Sequence, residues 1–206
     1  MDFIYNNEKL WAINKPSGLP SQPDKSGDPS ALIILEEKTG KPLHLINRLD
    51  RPVSGVLLFT DQSNYYSHLK SIWHSKDVEK TYLAIVEGKM HQDRGELTER
   101  MIKGRQNKAI IHPKGKIATL NFKLLKNFDR YTLLSVGLKT GRFHQIRCLL
   151  AHIGYPIKGD VKYGARRKNP DRNIHLHCYQ IKLPGLPVIQ APLPSSDTLW
   201  KMASDY

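Results

Sequence analysis

The chain has 206 residues, 39% hydrophobic and 25% charged, a balance that suits a folded domain with a sizeable core and excludes a disordered chain. Thirty-two Lys and Arg against nineteen Asp and Glu leave a net charge of +13, which favours polyanionic partners, nucleic acid first. Two cysteines, Cys148 and Cys178, are too few for a disulfide scaffold, the N-terminus does not resemble a secretory leader, and no apolar run approaches the roughly 18 residues of a membrane span, so the cytoplasm is expected.

Residues 9–14 alternate enough to predict a strand, ended by Lys15-Pro16-Ser17-Gly18. Residues 17–29, rich in Pro, Gly, Ser and Asp, read as a loop. A short helix is predicted over 31–38 with Ser30 as N-cap. Residues 53–60 form an apolar strand, after which Asp61 is expected to cap a helix carrying Tyr65, Leu69, Ile72 and Trp73 on one face. Strands are predicted over 79–88 and 118–125, joined by a basic segment around 100–116. A further strand over 131–137 pairs with the second of these across the turn 127–130. Residues 143–153 read as a helix stopped by Gly154 and Pro156, residues 174–183 as a strand, and Ser196 or Asp197 as the cap of a last helix with Leu199, Trp200 and Met202. Strands outnumber helices and adjoin one another, which predicts an α+β fold: a mixed, largely antiparallel sheet with packed helices, in a single domain over 1–206. Nothing indicates an oligomer, and a monomer is the default.

The positive charge is unevenly placed. Arg100, Lys103, Arg105, Lys108, Lys114 and Lys116 fall in one stretch without an acid, and residues 158–172 hold six more basic residues against Asp160 and Asp171. Such clusters suit phosphate contacts, although a basic surface kept for solubility has the same composition.

Chemistry centres on Asn47-Arg48-Leu49-Asp50-Arg51-Pro52-Val53-Ser54-Gly55, which sets one carboxylate between two guanidinium groups just before an apolar strand. A carboxylate acts as nucleophile or base only when ionised, and a nearby guanidinium favours that form; a surface ion pair is the plainer alternative. A second run, Lys139-Thr140-Gly141-Arg142-Phe143-His144-Gln145-Ile146-Arg147, bends the chain at a helix entrance, where Thr140 is a candidate cap and Arg142 and His144 are candidate phosphate contacts. Arg147 sits inside that helix and can face inwards. Tyr82 lies on a strand, with a phenol able to stack on a base or move a proton. His175-x-His177-Cys178 lacks the second ligand cluster of a zinc site, so no metal is expected. A phosphate-cradling Walker loop and a dinucleotide fingerprint are absent.

Taken in order, Ile13-Asn14-Lys15-Pro16-Ser17-Gly18-Leu19, Arg48-Leu49-Asp50-x-x-x-Ser54-Gly55, Lys80-Thr81-Tyr82-Leu83, Thr140-Gly141-Arg142-x-His144-Gln145-Ile146-Arg147 and Gly159-Asp160-x-x-Tyr163-Gly164 resemble the motifs of the RluA family of RNA pseudouridine synthases. The family usually carries His and Thr where this chain has Asn47 and Val53, and the S4-type RNA-binding domain of some relatives is not expected here. The resemblance implies the pseudouridine synthase fold and a cofactor-free isomerisation of uridine in structured RNA, ribosomal or transfer. It implies Asp50 as the catalytic carboxylate, Tyr82 stacked on the base, Arg147 keeping Asp50 ionised, and Arg48 holding the space left by a flipped nucleotide. Lys15 and Arg142 are further candidates for phosphate contacts. A relative that binds RNA without catalysis is the alternative that Asn47 and Val53 leave open.

Overall fold

The computed structural model describes residues 3–195 and 197–203. Its elements in chain order are β1 (Phe3–Asn6), β2 (Trp11–Lys15), α1 (Ala31–Thr39), β3 (His44–Leu45), β4 (Ser54–Thr60), α2 (Ser63–Ile72), β5 (Glu79–Glu87), β6 (Arg94–Lys103), β7 (Ala109–Ile111), β8 (Lys116–Asn127), β9 (Tyr131–Leu138), α3 (Gln145–His152), β10 (Leu176–Lys182), β11 (Ile189–Gln190) and α4 (Thr198–Met202). Strands and helices combine into the expected α+β class, and the strand pairs within each unit are antiparallel. Over the described residues the chain forms two compact units, Met1–Glu79 with Cys178–Lys201 and Lys80–His177 with Met202–Tyr206.

In the first unit the strand order is β1, β2, β4, β10, β11, with β3 pairing the far end of β4. All seven residues of β4 are buried, so this apolar run is covered on both faces. At its start, Gly55 adopts φ 114°, and a Cβ there would run into the backbone of Cys178; only glycine fits. The predicted first helix is present, and Ser30 Oγ accepts from the Ile33 amide at 3.3 Å. The expected Asp61 cap is not. Gln62 occupies the N-cap without a side-chain bond, and Asp61 Oδ2 is drawn instead to Lys41 Nζ at 2.7 Å. Leu69 is buried while Tyr65, Ile72 and Trp73 are half-buried, which matches the predicted apolar face of α2. Asp197 Oδ1 caps α4 by accepting from Leu199 and Trp200 amides at 2.8 and 3.3 Å; the alternative cap, Ser196, lies outside the described residues.

In the second unit the order is β5, β9, β8, β6, β7. The basic segment expected as a connector is in part strand: β6 pairs with β8 from Arg94↔Lys123 to Met101↔Lys116, and β7 returns along its end. Residues of β6 alternate between exposed and half-buried up to Met101. Ile85, Leu120, Leu133, Leu134, Val136, Leu149 and Leu150 form the apolar interior. The helix predicted from residue 143 starts at Gln145, because His144 takes the left-handed conformation (φ 52°, ψ 29°) and ends the turn before it.

Candidate active site

Asp50 sits in the first unit on the connection between β3 and β4, and this connection is braced from three sides. Its own carbonyl accepts from the Val53 amide at 3.0 Å, closing a tight turn. Ser21 Oγ donates to the Leu49 carbonyl at 2.8 Å and accepts from the Leu49 amide at 3.0 Å, so one hydroxyl replaces a backbone pairing. The Gly18 amide donates to the Arg51 carbonyl at 2.7 Å, and Arg51 Nε returns a bond to the Gly18 carbonyl at 2.9 Å. Arg51 also reaches Ser26 Oγ at 3.2 Å and pairs with Asp28, whose carboxyl this holds below its usual pKa range. Asp50 itself is half-buried, and Arg48 beside it is exposed.

Lys15 is the surprise of this cluster. Its side chain is wholly buried, and Nζ donates to the carbonyls of Pro16, Leu19 and Arg51 at 2.8, 2.8 and 3.4 Å. An ammonium turned inwards onto three carbonyls does not reach an RNA phosphate, so the expected phosphate contact becomes a clasp between the two loops. Burial lowers its pKa to about 7, against the opposing pull of the Asp50 charge.

The second cluster lies in the other unit. Tyr82 is buried on β5 opposite Val136 of β9. Gln145 organises the Thr-Gly-Arg turn: its Oε1 accepts from Thr140 Oγ1 at 2.7 Å and from the Arg142 amide at 2.9 Å, and its Nε2 donates to the Thr119 carbonyl at 2.9 Å. Thr140 therefore does not cap α3; its hydroxyl is committed to Gln145 and accepts from the Thr119 amide at 2.9 Å. Arg142 is exposed, with Nε on the Ile117 carbonyl at 3.0 Å.

Arg147 is buried and held by Asp160 in a two-point pair, Nε to Oδ2 at 2.7 Å and Nη2 to Oδ1 at 2.9 Å. Nη1 approaches His144 Nε2 at 3.0 Å, and His144 Nδ1 lies 2.9 Å from Tyr163 Oη. Both ring nitrogens of His144 thus face protein groups, which corrects the expectation that it meets phosphate. Tyr163 Oη also accepts from the Ala109 amide at 2.7 Å, and burial pushes its pKa up to about 12. Asp160, Tyr163 and Gln145 lie within the sequence motifs, but nothing in the sequence alone marks them as site residues. Their partners lie across turns that no spacing rule connects. Among the described residues no group of His, Cys, Asp and Glu is arranged to hold a metal ion, and no helix is long and apolar enough to cross a membrane.

Residues 9–152, spanning every motif from Lys15 to Arg147, match the family model described as RNA pseudouridylate synthase. The chain belongs to the RluA family of RNA pseudouridine synthases. Within that family it is 30% identical to an uncharacterised RNA pseudouridine synthase of Bacillus subtilis (strain 168), over 95% of this chain and 69% of the relative. It is 33% identical to ribosomal large subunit pseudouridine synthase C of Vibrio parahaemolyticus, covering 80% of this chain but only 53% of that protein. Against tRNA pseudouridine synthase C of Haemophilus ducreyi the identity is also 33%, over 89% of this chain and 82% of the relative. The chain therefore spans about half the length of several relatives it matches. Solved structures of human RNA pseudouridylate synthase domain containing proteins 4 and 1 share the fold. Their TM-scores are 0.76 and 0.78 over 94% of this chain and 88% and 83% of theirs, at 23% and 18% identity.

Proposed function

We propose that this chain is the catalytic part of an RNA pseudouridine synthase that isomerises uridine in structured RNA, ribosomal or transfer, to pseudouridine. What carries the reading is that the family match over 9–152 contains Asp50, Tyr82 and Arg147 together, each within its own motif. The reaction breaks the N1–C1′ bond, turns the uracil and joins C5 to C1′; C5 gives up its proton and N1 gains one. Every atom of the substrate remains in the product, so the chemistry calls for no co-reactant. A stacked base cannot turn, and the nucleotide must leave the helix at a cost of a few kcal/mol.

In this reading Asp50 starts the reaction, and its braced turn keeps the carboxylate in place without reorganisation. Tyr82 stacks on the uracil, Arg147 supplies a fixed positive charge, and Arg48 and Arg142 contact the RNA. The three passages of the chain between its two units support a single working domain over 1–206. Two buried free thiols are in keeping with a reducing cytoplasm, and a monomer is the proposed state.

Asn47, one of the two residues that leave a binding-only relative open, is buried and occupied in holding the backbone of β4. This departure from the family pattern therefore has a structural reason. Pseudouridine mapping across total RNA from cells with and without the gene tests the proposal. A position that disappears and returns with wild-type protein supports it; no altered position in any RNA, alongside tight RNA binding, would favour the binding-only alternative.

A further inference from the structure

We propose that Asp160, His144 and Tyr163 form a positioning cradle for the Arg147 guanidinium, in which His144 is a neutral imidazole protonated on Nδ1. The positioning role rests on the proposed function of Arg147; the protonation state of His144 does not.

The assignment follows from what each group can do. A guanidinium has N–H donors and no acceptor. His144 Nε2, 3.0 Å from Arg147 Nη1, must therefore present a lone pair. A neutral imidazole then carries its proton on Nδ1 and donates it to Tyr163 Oη at 2.9 Å. That oxygen also accepts from the Ala109 amide, and its raised pKa keeps the phenol neutral, a fit partner for a donating Nδ1–H.

The surroundings hold the ring neutral. Arg147 faces Nε2, Lys103 Nζ lies 5.0 Å above the Phe143 ring that stacks on His144, and Lys108 Nζ lies 5.2 Å above Tyr163. Three cations oppose an imidazolium. Asp160 lies in the same cluster, and both its oxygens are engaged by Arg147; Cys148, on the next turn of α3, is a thiol whose pKa burial raises.

Geometry makes the cradle rigid. Asp160 and Arg147 side chains are only 2% and 6% exposed, so the two-point pair fixes the guanidinium plane in a dry setting. The Tyr163 ring lies 5.0 Å beneath the guanidinium and closes one face. Asp160 is itself set by Gly159, where φ is 87° and a Cβ would strike Asn169 and Asn173. His144 takes a left-handed backbone conformation that side chains rarely adopt, and this aims its ring between Arg147 and Tyr163.

Two measurements on the full chain test this. Nitrogen NMR of imidazole-labelled protein at pH 7 should show His144 with a protonated Nδ1 and an unprotonated Nε2, altered in Tyr163→Phe. A proton on Nε2, or on both nitrogens, would overturn the assignment. The second measures tritium release from bulk RNA labelled at uridine C5 and taken from cells lacking the gene. Tyr163→Phe and His144→Gln should lower kcat by up to about 100-fold, with KM and RNA affinity nearly unchanged. A rate within twofold of wild type, or a loss confined to KM, would overturn the positioning role. If wild type itself released no tritium, the proposed function would fail while the nitrogen spectrum still decided the state of His144.

Discussion

The Leu58 amide donates to Asn47 Oδ1 at 2.8 Å, while Asn47 Nδ2 donates to the Val56 carbonyl at 3.1 Å. With the Ile46 amide on the Leu58 carbonyl at 2.9 Å, the side chain of Asn47 extends the β3–β4 pairing by one more rung towards the Asp50 turn. A primary amide offers a donor and an acceptor side by side, the spacing that one edge of a strand presents. The two nitrogens of an imidazole diverge and do not satisfy both groups. Asn47→Ala should therefore cost about 2 kcal/mol, because buried backbone groups lose their partners. Urea unfolding reads this as a lower midpoint with an unchanged slope; an unmoved midpoint would remove the structural reason for Asn47.

Arg51 ties the loop holding Gly18, Ser26 and Asp28 to the turn that carries Asp50. The ion pair is about half exposed, so Arg51→Ala should change global stability by less than about 1 kcal/mol. Limited proteolysis should nevertheless cut the variant faster within residues 18–28. Arg51→Lys should not restore resistance, since an ammonium lacks the fork that reaches all three partners. Equal cutting of wild type and Arg51→Ala would show that the contact does not hold the loop.

Lys15 gives stability a pH dependence with a definite sign. Unfolded, it keeps its proton to about pH 10.5; folded, only to about 7. Between these values the unfolded state binds more protons, so the contribution of this side chain rises with pH and is lost as pH falls through 7. Tyr163, raised from 10.0 to about 12, acts in the opposite sense only above pH 10. Unfolding midpoints of wild type should climb relative to Lys15→Met from pH 7 to about pH 9.5; parallel profiles would contradict the burial of this ammonium.

The basic segment that proved to be β6, β7 and the start of β8 presents Lys103, Lys114 and Lys116 to solvent. If these meet RNA phosphates, replacing all three with Ala should flatten the dependence of log affinity on log salt by roughly 2 to 3. An unchanged salt slope would place the RNA elsewhere.

Much of the fold was readable from local chemistry. Ser30 caps α1 as its position before an apolar run predicts, and β4 and β9 follow from their apolar runs. The strand β6 was hidden because its exposed positions are Arg, Glu and Thr, so only weak apolar alternation marks it. Asp61 and Thr140 had the right residue type for caps, but Lys41 and Gln145 compete for them through contacts distant in sequence or across a turn. At the candidate site the motifs marked Asp50, Tyr82 and Arg147. Direction was not legible: whether Lys15 and His144 face a ligand or the interior depends on carbonyls and hydroxyls that only folding brings near.

The most direct test of the central claim is Asp50→Asn, which keeps the size of the side chain and removes its charge. Pseudouridine formation should be measured on RNA from cells lacking the gene, beside RNA affinity. The account predicts that product falls below detection while affinity stays within about threefold of wild type, since only the interaction made during reaction is removed. Retention of substantial pseudouridine formation by Asp50→Asn would contradict it.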